Sequence, residues 1–157
     1  MRIKLIVIGK TNQAYLNEGI SEYLSRIKHY LPTELIIIPA LKNIGSLSVE
    51  QIKQKEGELL LKQIAAADKV VLLDEKGKQY SSLEFSVFMQ QQMNQGVQNL
   101  VFVIGGAFGF NKEIYFRFHN KMALSKMTFS HQMVRLFFVE QLYRAMTILR
   151  NESYHHE

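Results

Sequence analysis

The stretch Leu100-Val-Phe-Val-Ile104 runs directly into Gly105-Gly-Ala-Phe-Gly109, and this junction determines how the rest of the chain is interpreted. The apolar, β-branched run is too short for a buried helix and predicts a buried strand. The glycines that follow predict a tight turn. Ligands of open α/β sheets gather at the carboxyl ends of strands, so this turn is either part of a binding site or a plain connection to the next helix.

Short apolar runs and longer segments of helical composition alternate on both sides of this junction. The further predicted strands are residues 3–8, 34–38, 69–73 and, more weakly, 121–124. The predicted helices are residues 12–30, 49–67, 82–95, 111–118 and 131–150. Ser48 with Gln51 and Ser81 with Glu84 have the spacing of a capping box. The alternation predicts an α/β fold, in which a mainly parallel sheet is covered by helices on both faces.

Length and composition restrict the class of protein. The 157 residues, 47% of them hydrophobic, predict a single domain over residues 1–157. The absence of cysteine excludes a disulfide scaffold, thiolate catalysis and zinc held by thiolates. No apolar run approaches the roughly 18–20 residues of a membrane span, so we expect a cytoplasmic protein without a membrane or metal partner. The net charge of +5, concentrated in residues 112–150, favours a polyanionic partner such as RNA.

The last predicted helix, residues 131–150, is apolar around almost its whole circumference. A surface helix normally has one apolar stripe. Such a helix either runs through the centre of the domain, or packs against its own sheet on one side and a second subunit on the other. We expect the second arrangement, a homodimer.

Polar candidates for a site cluster late in the chain. Residues 124–135 are dense in side-chain donors and either cap the last helix or enclose a small molecule together with the glycine turn. His131 and Arg135, four residues apart, share a helix face suited to a phosphate or a base. Tyr143 and Arg144 are residue types that stack on a base and bind it, although Arg144 also has the spacing to pair with Glu140.

Other segments are predicted as connections or excluded as sites. Residues 74–78 are predicted to form a charged turn, and residues 39–48 the longest loop. The glycine turn is not a phosphate loop, because no Gly-Lys-Ser/Thr follows it. It is also a poor dinucleotide fingerprint, because it follows the fourth strand instead of the first.

Taken in order, several motifs resemble one known family. They are Val7-Ile-Gly-Lys10, Leu73 with Gly77-Lys78, Phe102-Val-Ile-Gly-Gly106, Leu124-Ser-Lys-Met-Thr-Phe129, His131-Gln-Met-Val-Arg135, Glu140-Gln-Leu-Tyr-Arg-Ala145 and Tyr154-His155. The chain resembles the ribosomal RNA large subunit methyltransferase H family of the SPOUT superfamily. One departure is Ser130, where the family usually has proline. Serine is able to cap the helix that follows, so we expect the cofactor contacts to persist.

This resemblance implies a C-terminal trefoil knot within about residues 70–157, a homodimer, and methylation at N3 of a pseudouridine in large-subunit (23S) ribosomal RNA, within the ribosome. It also implies that S-adenosylmethionine is bound in a bent form by Leu73, Gly105, Leu124, Ser125, Lys126, Met127, Thr128 and Phe129. The catalytic candidates are His131, Arg135, Tyr143 and Arg144. The two arginines are suited to favour the anion of the target imide, and His131 and Tyr143 to handle its proton.

Two alternatives remain at this stage. The first is an RNA- or ribosome-binding protein with the same fold and no catalysis, which has no need of an intact cofactor loop. The second is a small-molecule enzyme of flavodoxin-like type, which predicts a phosphate-binding turn after the first strand. Residues 9–12 offer only a weak version of such a turn.

Overall fold

The computed structural model describes residues 1–156. Strands and helices alternate along these residues as the sequence predicts. The strands are β1 (Arg2–Ile8), β2 (Thr33–Ile38), β3 (Lys69–Gln79), β4 (Asn99–Ile104) and β5 (Lys121–Ala123). The helices are α1 (Ala14–Ile27), α2 (Val49–Leu61), α3 (Ser82–Asn94), α4 (Lys112–Arg117) and α5 (Met133–Leu149), with a 3₁₀ turn at Ile44–Ser46.

The five strands form one sheet in the order β2-β1-β4-β3-β5, and every neighbouring pair is parallel. The strand with the decisive sequence, β4, lies in the middle. Parallel pairing places the carboxyl ends of all five strands at the same edge of the sheet. The loops after β4 and β5 therefore emerge on the same side of the molecule.

Helices cover both faces of the sheet, as predicted. On one face, Leu5 and Phe102 pack with buried residues of α1, α3 and α5. On the other face, Ile6 and Val103 pack with α2 and α4. The strands are apolar on both faces because each residue, whichever way its side chain points, meets a layer of helices.

Both predicted capping boxes are present. The Ser48 hydroxyl accepts a hydrogen bond from the Gln51 N–H at 3.2 Å, and the Ser48 N–H donates to the Gln51 side chain at 2.8 Å. The same exchange joins Ser81 and Glu84, at 3.2 and 2.7 Å. These bonds satisfy backbone N–H groups that the first turn of a helix leaves without partners.

Helix α5 lies between α1 and α3 on one face of the sheet, which explains its broad apolar surface. Phe138 and Leu142 are fully buried, whereas Phe137 is 44% exposed. Most of the apolar circumference is thus covered within one chain, and a smaller aromatic surface stays open. No helix within residues 1–156 is long and apolar enough to cross a membrane.

The prediction of a charged turn at residues 74–78 was wrong, because β3 continues through these residues to Gln79. Met122 of β5 pairs first with Leu73 and then again with Lys78, so the residues between them leave the ladder as an irregular excursion. Gly77 permits this close approach. A Cβ at that position would lie 2.5 Å from the Met122 backbone nitrogen. The second half of β3 was not predicted as a strand because its residues are charged, and most of their side chains are exposed.

The predicted helix at residues 49–67 ends earlier, at Leu61. The Asp68 carboxylate accepts a hydrogen bond from the Ala65 N–H at 3.0 Å and closes a turn between the helix and β3. The same carboxylate binds Lys4 at 3.3 Å and the Asn99 amide at 2.9 Å. This cluster joins β1 and β4 to the residue before β3 at the amino edge of the sheet. The loops after β4 and β5 lie at the opposite edge.

Candidate active site

Three segments at the carboxyl edge of the sheet enclose a cleft of about 480 Å³. They are the β3 excursion, the glycine turn after β4 and the connection from β5 to α5. At its base Leu73 and Ile104 are partners in the register of β3 and β4. Its volume falls within the roughly 300–1,000 Å³ of typical small-molecule sites. The two segments that the sequence singled out therefore lie side by side.

The glycine turn folds tightly against its own following residues. The Gly109 N–H donates to the Gly106 carbonyl at 3.1 Å, and Gly109 has φ +74°, a backbone conformation that favours glycine. A Cβ on Gly105 would approach the Phe110 ring to 3.2 Å and the Gly109 carbonyl carbon to 3.4 Å. Glycine at 105 thus keeps the backbone of the turn open to the cleft while Phe110 packs behind it.

The connection between β5 and α5 is held in shape by its hydroxyl groups. Ser125 accepts the Met127 N–H at 2.9 Å, and Thr128 donates to Glu75 at 2.8 Å, which joins this loop to the β3 excursion. Ser130 accepts the Met133 N–H at 3.0 Å, at the first residue of α5. Serine at position 130 therefore satisfies the first N–H of α5, as expected, while Gln132, immediately before the helix, makes no side-chain capping bond.

An acidic wall lies opposite this loop, and the sequence analysis missed it. Asp74 accepts a hydrogen bond from the hydroxyl of Tyr115, and Glu75 is bound by Thr128 as described. Burial, followed by the bond to Asp74, raises the pKa of Tyr115 above its ordinary value, so the phenol stays protonated and donates. Both carboxylates line the cleft. Their charge predicts a turn, because charged side chains are common in turns.

Most of the residues predicted to bind the cofactor line this cleft. They are Leu73, Gly105, Leu124, Ser125, Met127, Thr128 and Phe129, and His131 joins them from the start of the last helical segment. Lys126 belongs to the same loop, but its side chain is exposed and does not line the cleft. His131 is partly buried, and burial, followed by the charge of Arg135, lowers its pKa. The imidazole is therefore neutral near pH 7.

Arg135 does not reach the cleft, and it is 1% exposed. Its guanidinium donates to the carbonyls of Ile8 at 2.6 Å, Gly9 at 2.8 Å and His131 at 3.0 Å, and to the Thr11 hydroxyl at 3.1 Å. These acceptors join the end of β1 to the start of α5. Arg135 therefore holds the start of α5 against the end of β1, next to the cleft. The geometry does not support the direct RNA contact that the helix spacing predicts.

Tyr143 and Arg144 are also distant from the cleft of their own chain. At a rise of 1.5 Å per residue they lie about 15 Å along α5 from its start beside the cleft. Arg144 binds Glu140 at 2.5 and 3.1 Å, the pairing considered as an alternative, and stacks on the Tyr154 ring at 4.7 Å. Tyr143 packs against the rings of Tyr23 and Tyr154. Of the four catalytic candidates, only His131 lines the cleft, whereas Arg135 binds the end of β1 and the other two lie further along α5.

Comparison with known proteins gives the family. A sequence profile described as "Predicted SPOUT methyltransferase" matches residues 1–155. The chain is 54% identical over 157 residues to the "Ribosomal RNA large subunit methyltransferase H" of Parabacteroides distasonis, and 55% identical to that of Flavobacterium johnsoniae, with all of each chain covered. The chain belongs to the ribosomal RNA large subunit methyltransferase H family, within the SPOUT methyltransferases. Membership confirms the resemblance and implies the trefoil knot.

A third relative of the same name, from Christiangramia forsetii, is 56% identical over 156 residues and covers 99% of each chain. Among solved structures, the crystal structure of a probable methyltransferase from Bordetella pertussis matches with a TM-score of 0.53, over 92% of this chain and 96% of that one. Its sequence identity is only 10%, so this similarity supports the SPOUT methyltransferase fold and no more.

Proposed function

We propose that this chain transfers a methyl group from S-adenosylmethionine to N3 of a pseudouridine in large-subunit (23S) ribosomal RNA, in the cytoplasm. Its relatives are named for large-subunit ribosomal RNA methylation. The observation that carries the proposal is the cleft of about 480 Å³, enclosed by the glycine turn and the loop that precedes α5. Both segments contain motifs that carry the family resemblance, apart from Ser130, where the family usually has proline.

The chemistry of the cleft suits this cofactor. Leu73, Met122 and Phe129 offer apolar walls for an adenine ring, and the open backbone of Gly105 allows a ligand to approach closely. The carboxylates of Asp74 and Glu75 favour a ligand that carries positive charge, as a sulfonium does. The residues present therefore fit the cofactor in shape and in charge.

When bound, S-adenosylmethionine supplies a methyl group already activated by its sulfonium, so the protein has no need of a covalent nucleophile. The tasks left to the chain are to hold the attacking nitrogen in line and to exclude water. An imide N–H must also lose its proton. His131 lines the cleft, and its lowered pKa keeps the ring neutral and able to accept that proton. We therefore assign proton transfer to His131.

Tyr143 and Arg144 fit this function only through a second copy of the chain, since they lie about 15 Å along α5 from the cleft of their own subunit. We propose a homodimer in which this end of one α5 faces the cleft of the partner. Mixing inactive Gly105→Val and Arg144→Ala subunits should then restore activity. In a mixed dimer, one of the two sites combines the intact cleft of the Arg144→Ala subunit with the intact α5 end of the Gly105→Val subunit. Activity that never returns in verified mixed dimers would contradict the arrangement.

The test of the function is methyl transfer from labelled cofactor to large ribosomal subunits, purified from a strain that lacks this modification. We expect at most one methyl group per particle, found on a pseudouridine when the RNA is digested and analysed by mass spectrometry. Particles that bind the protein but gain no methyl group would favour the non-catalytic binding protein. A methyl group on another nucleotide would refute the assignment of the substrate.

A further inference from the structure

A second, smaller cavity of about 220 Å³ lies beside the cofactor cleft, and the two share Gly106, Ala107, Phe108 and His131 as walls. Its other side is formed by the loop after β1, the loop after β2 and helix α2. The volume lies below the roughly 300–1,000 Å³ of typical small-molecule sites, so the cavity suits one small ring rather than a whole cofactor.

The cavity contains a buried carboxylate without a partner. Glu56 of α2 is 9% exposed, lines the cavity, and its Oε2 atom has no hydrogen-bond partner. A carboxylate without hydrogen bonds in such a place is costly, and burial raises the pKa of Glu56 accordingly. A ligand that donates an N–H group would remove much of this cost. The structure thus offers an unused acceptor at this cavity.

The backbone holds this carboxylate against the cofactor-binding turn. A Cβ on Gly106 would lie 2.5 Å from Oε2 and 2.7 Å from Oε1, so the glycine makes room for the acid. At the next position of α2, a Cβ on Gly57 would lie 2.5 Å from the Asn111 amide, which shows how closely α2 packs on the start of α4. Glu56 is consequently fixed in place beside the shared wall.

The remaining walls suit a nucleobase. Ile44 and Ile52 provide apolar surface, and Phe108, which is 48% exposed and lines both cavities, is available to stack on a base. Lys10 lies at the exposed rim, where a cation suits a phosphate. Gln132 fixes this rim by accepting the Asn12 N–H at 2.9 Å.

We infer that this cavity receives the target base flipped out of the RNA, and that Glu56 accepts a hydrogen bond from a ring N–H that only a carbon-linked uracil carries. The inference rests on the proposed function and deepens it. In uridine N1 is bonded to the ribose, whereas in pseudouridine N1 carries a hydrogen. His131, which lines both cavities, faces the second N–H, at N3. Glu56 thus distinguishes pseudouridine from uridine.

The first test compares Glu56→Leu, which removes the acceptor, with Glu56→Gln, which retains one oxygen. Methyl transfer is measured in single turnovers on ribosomal subunits with pseudouridine or with uridine at the target. We expect Glu56→Leu to lose about 10–100-fold in rate on pseudouridine, as for a hydrogen bond to a charged group, and little on uridine. The rate of Glu56→Gln on pseudouridine should lie between those of Glu56→Leu and the parent protein. Glu58→Leu, on the exposed side of the same helix, is the control.

Calorimetry with S-adenosylmethionine separates this inference from its main alternative, in which Glu56 binds the cofactor's amino group. We expect the affinity of Glu56→Leu for the cofactor to equal that of the parent protein. A loss of affinity would assign the cavity to the cofactor and overturn the inference. Equal losses of rate on pseudouridine and uridine would also overturn it, because they would indicate a structural role.

The absence of cysteine from the chain permits a test that needs no catalysis. Ala40→Cys places one thiol at the exposed rim of the cavity, and Ala66→Cys serves as a control on the loop before β3. We expect ribosomal subunits with S-adenosylhomocysteine to slow alkylation of Cys at position 40, and S-adenosylhomocysteine alone to leave it unchanged. Slower alkylation with S-adenosylhomocysteine alone would refute the inference, and so would unchanged alkylation when ribosomal subunits are bound. Both outcomes can be read even if the protein transfers no methyl group.

Discussion

Replacing Arg135 by methionine tests how the last helix is attached to the start of the sheet. The side chain is almost completely buried and donates four hydrogen bonds, three to backbone carbonyls and one to Thr11. Methionine retains much of the apolar stem but donates nothing. The carbonyls of Ile8 and Gly9, at 2.6 and 2.8 Å, then lose their charged donor.

The magnitude follows from these two carbonyls. A buried acceptor left without a partner costs about 1–3 kcal/mol, and only the Ile8 bond is fully buried while the Gly9 bond is part-buried, so we expect a loss of about 1–4 kcal/mol in the free energy of unfolding. That is a large part of the roughly 5–15 kcal/mol of a typical domain. The free energy of unfolding of Arg135→Lys should lie between those of the parent and Arg135→Met, because an ammonium keeps the charge but cannot reproduce the planar fork of donors.

Urea unfolding followed by circular dichroism measures this loss, with Arg150→Met as the control, since Arg150 is exposed at the end of α5. We expect the control to change the free energy by less than about 0.5 kcal/mol. Cofactor affinity and RNA methylation should fall together in Arg135→Met. A stable variant that binds cofactor normally but fails to methylate RNA would refute the structural role. It would instead support a direct contact between Arg135 and RNA.

Two further predictions concern the excursion of β3 and the protonation of His131. Gly77→Ala should cost about 1–3 kcal/mol or more in the free energy of unfolding, because its Cβ would lie within 2.6 Å of three backbone atoms of Lys121 and Met122. Gly45→Ala, which meets nothing within 4 Å, is the matched control, and equal melting temperatures would contradict the close approach. The lowered pKa of His131 means that the folded state favours the neutral ring, so this stability is complete above about pH 6.5 and is lost as the pH falls below that value. His131→Gln should therefore lose less stability between pH 7.5 and 5.5 than the parent protein, and equal losses would show that His131 does not titrate differently on folding.

The order of elements and the position of the cleft could be predicted from the sequence because they depend on local patterns. Short apolar runs bounded by glycine and polar residues predicted all five strands, and the two capping boxes predicted where α2 and α3 begin. Parallel pairing then places the turn after β4 beside the loop after β5. The excursion of β3 escaped prediction because its pairing depends on Gly77 meeting a strand more than forty residues later.

The roles of single side chains were harder to predict than the site itself. Spacing placed His131 and Arg135 on one helix face, but burial separates them, since His131 lines the cleft and Arg135 binds the end of β1. Glu56 carried no signal, because an acidic residue on an amphipathic helix is normally exposed. The enclosure of the carboxylate depends on Gly106, which comes from a distant part of the chain.

We propose that the glycine turn and the loop before α5 together hold S-adenosylmethionine, and calorimetric titration of the purified protein measures this binding. We predict saturable binding by the parent protein. Gly105→Val should bind no cofactor while keeping its far-ultraviolet circular dichroism, because its side chain has to displace either the Phe110 ring or the ligand. An absence of binding to the parent protein at millimolar cofactor, or an unchanged affinity in Gly105→Val, would show that these two segments do not hold the cofactor.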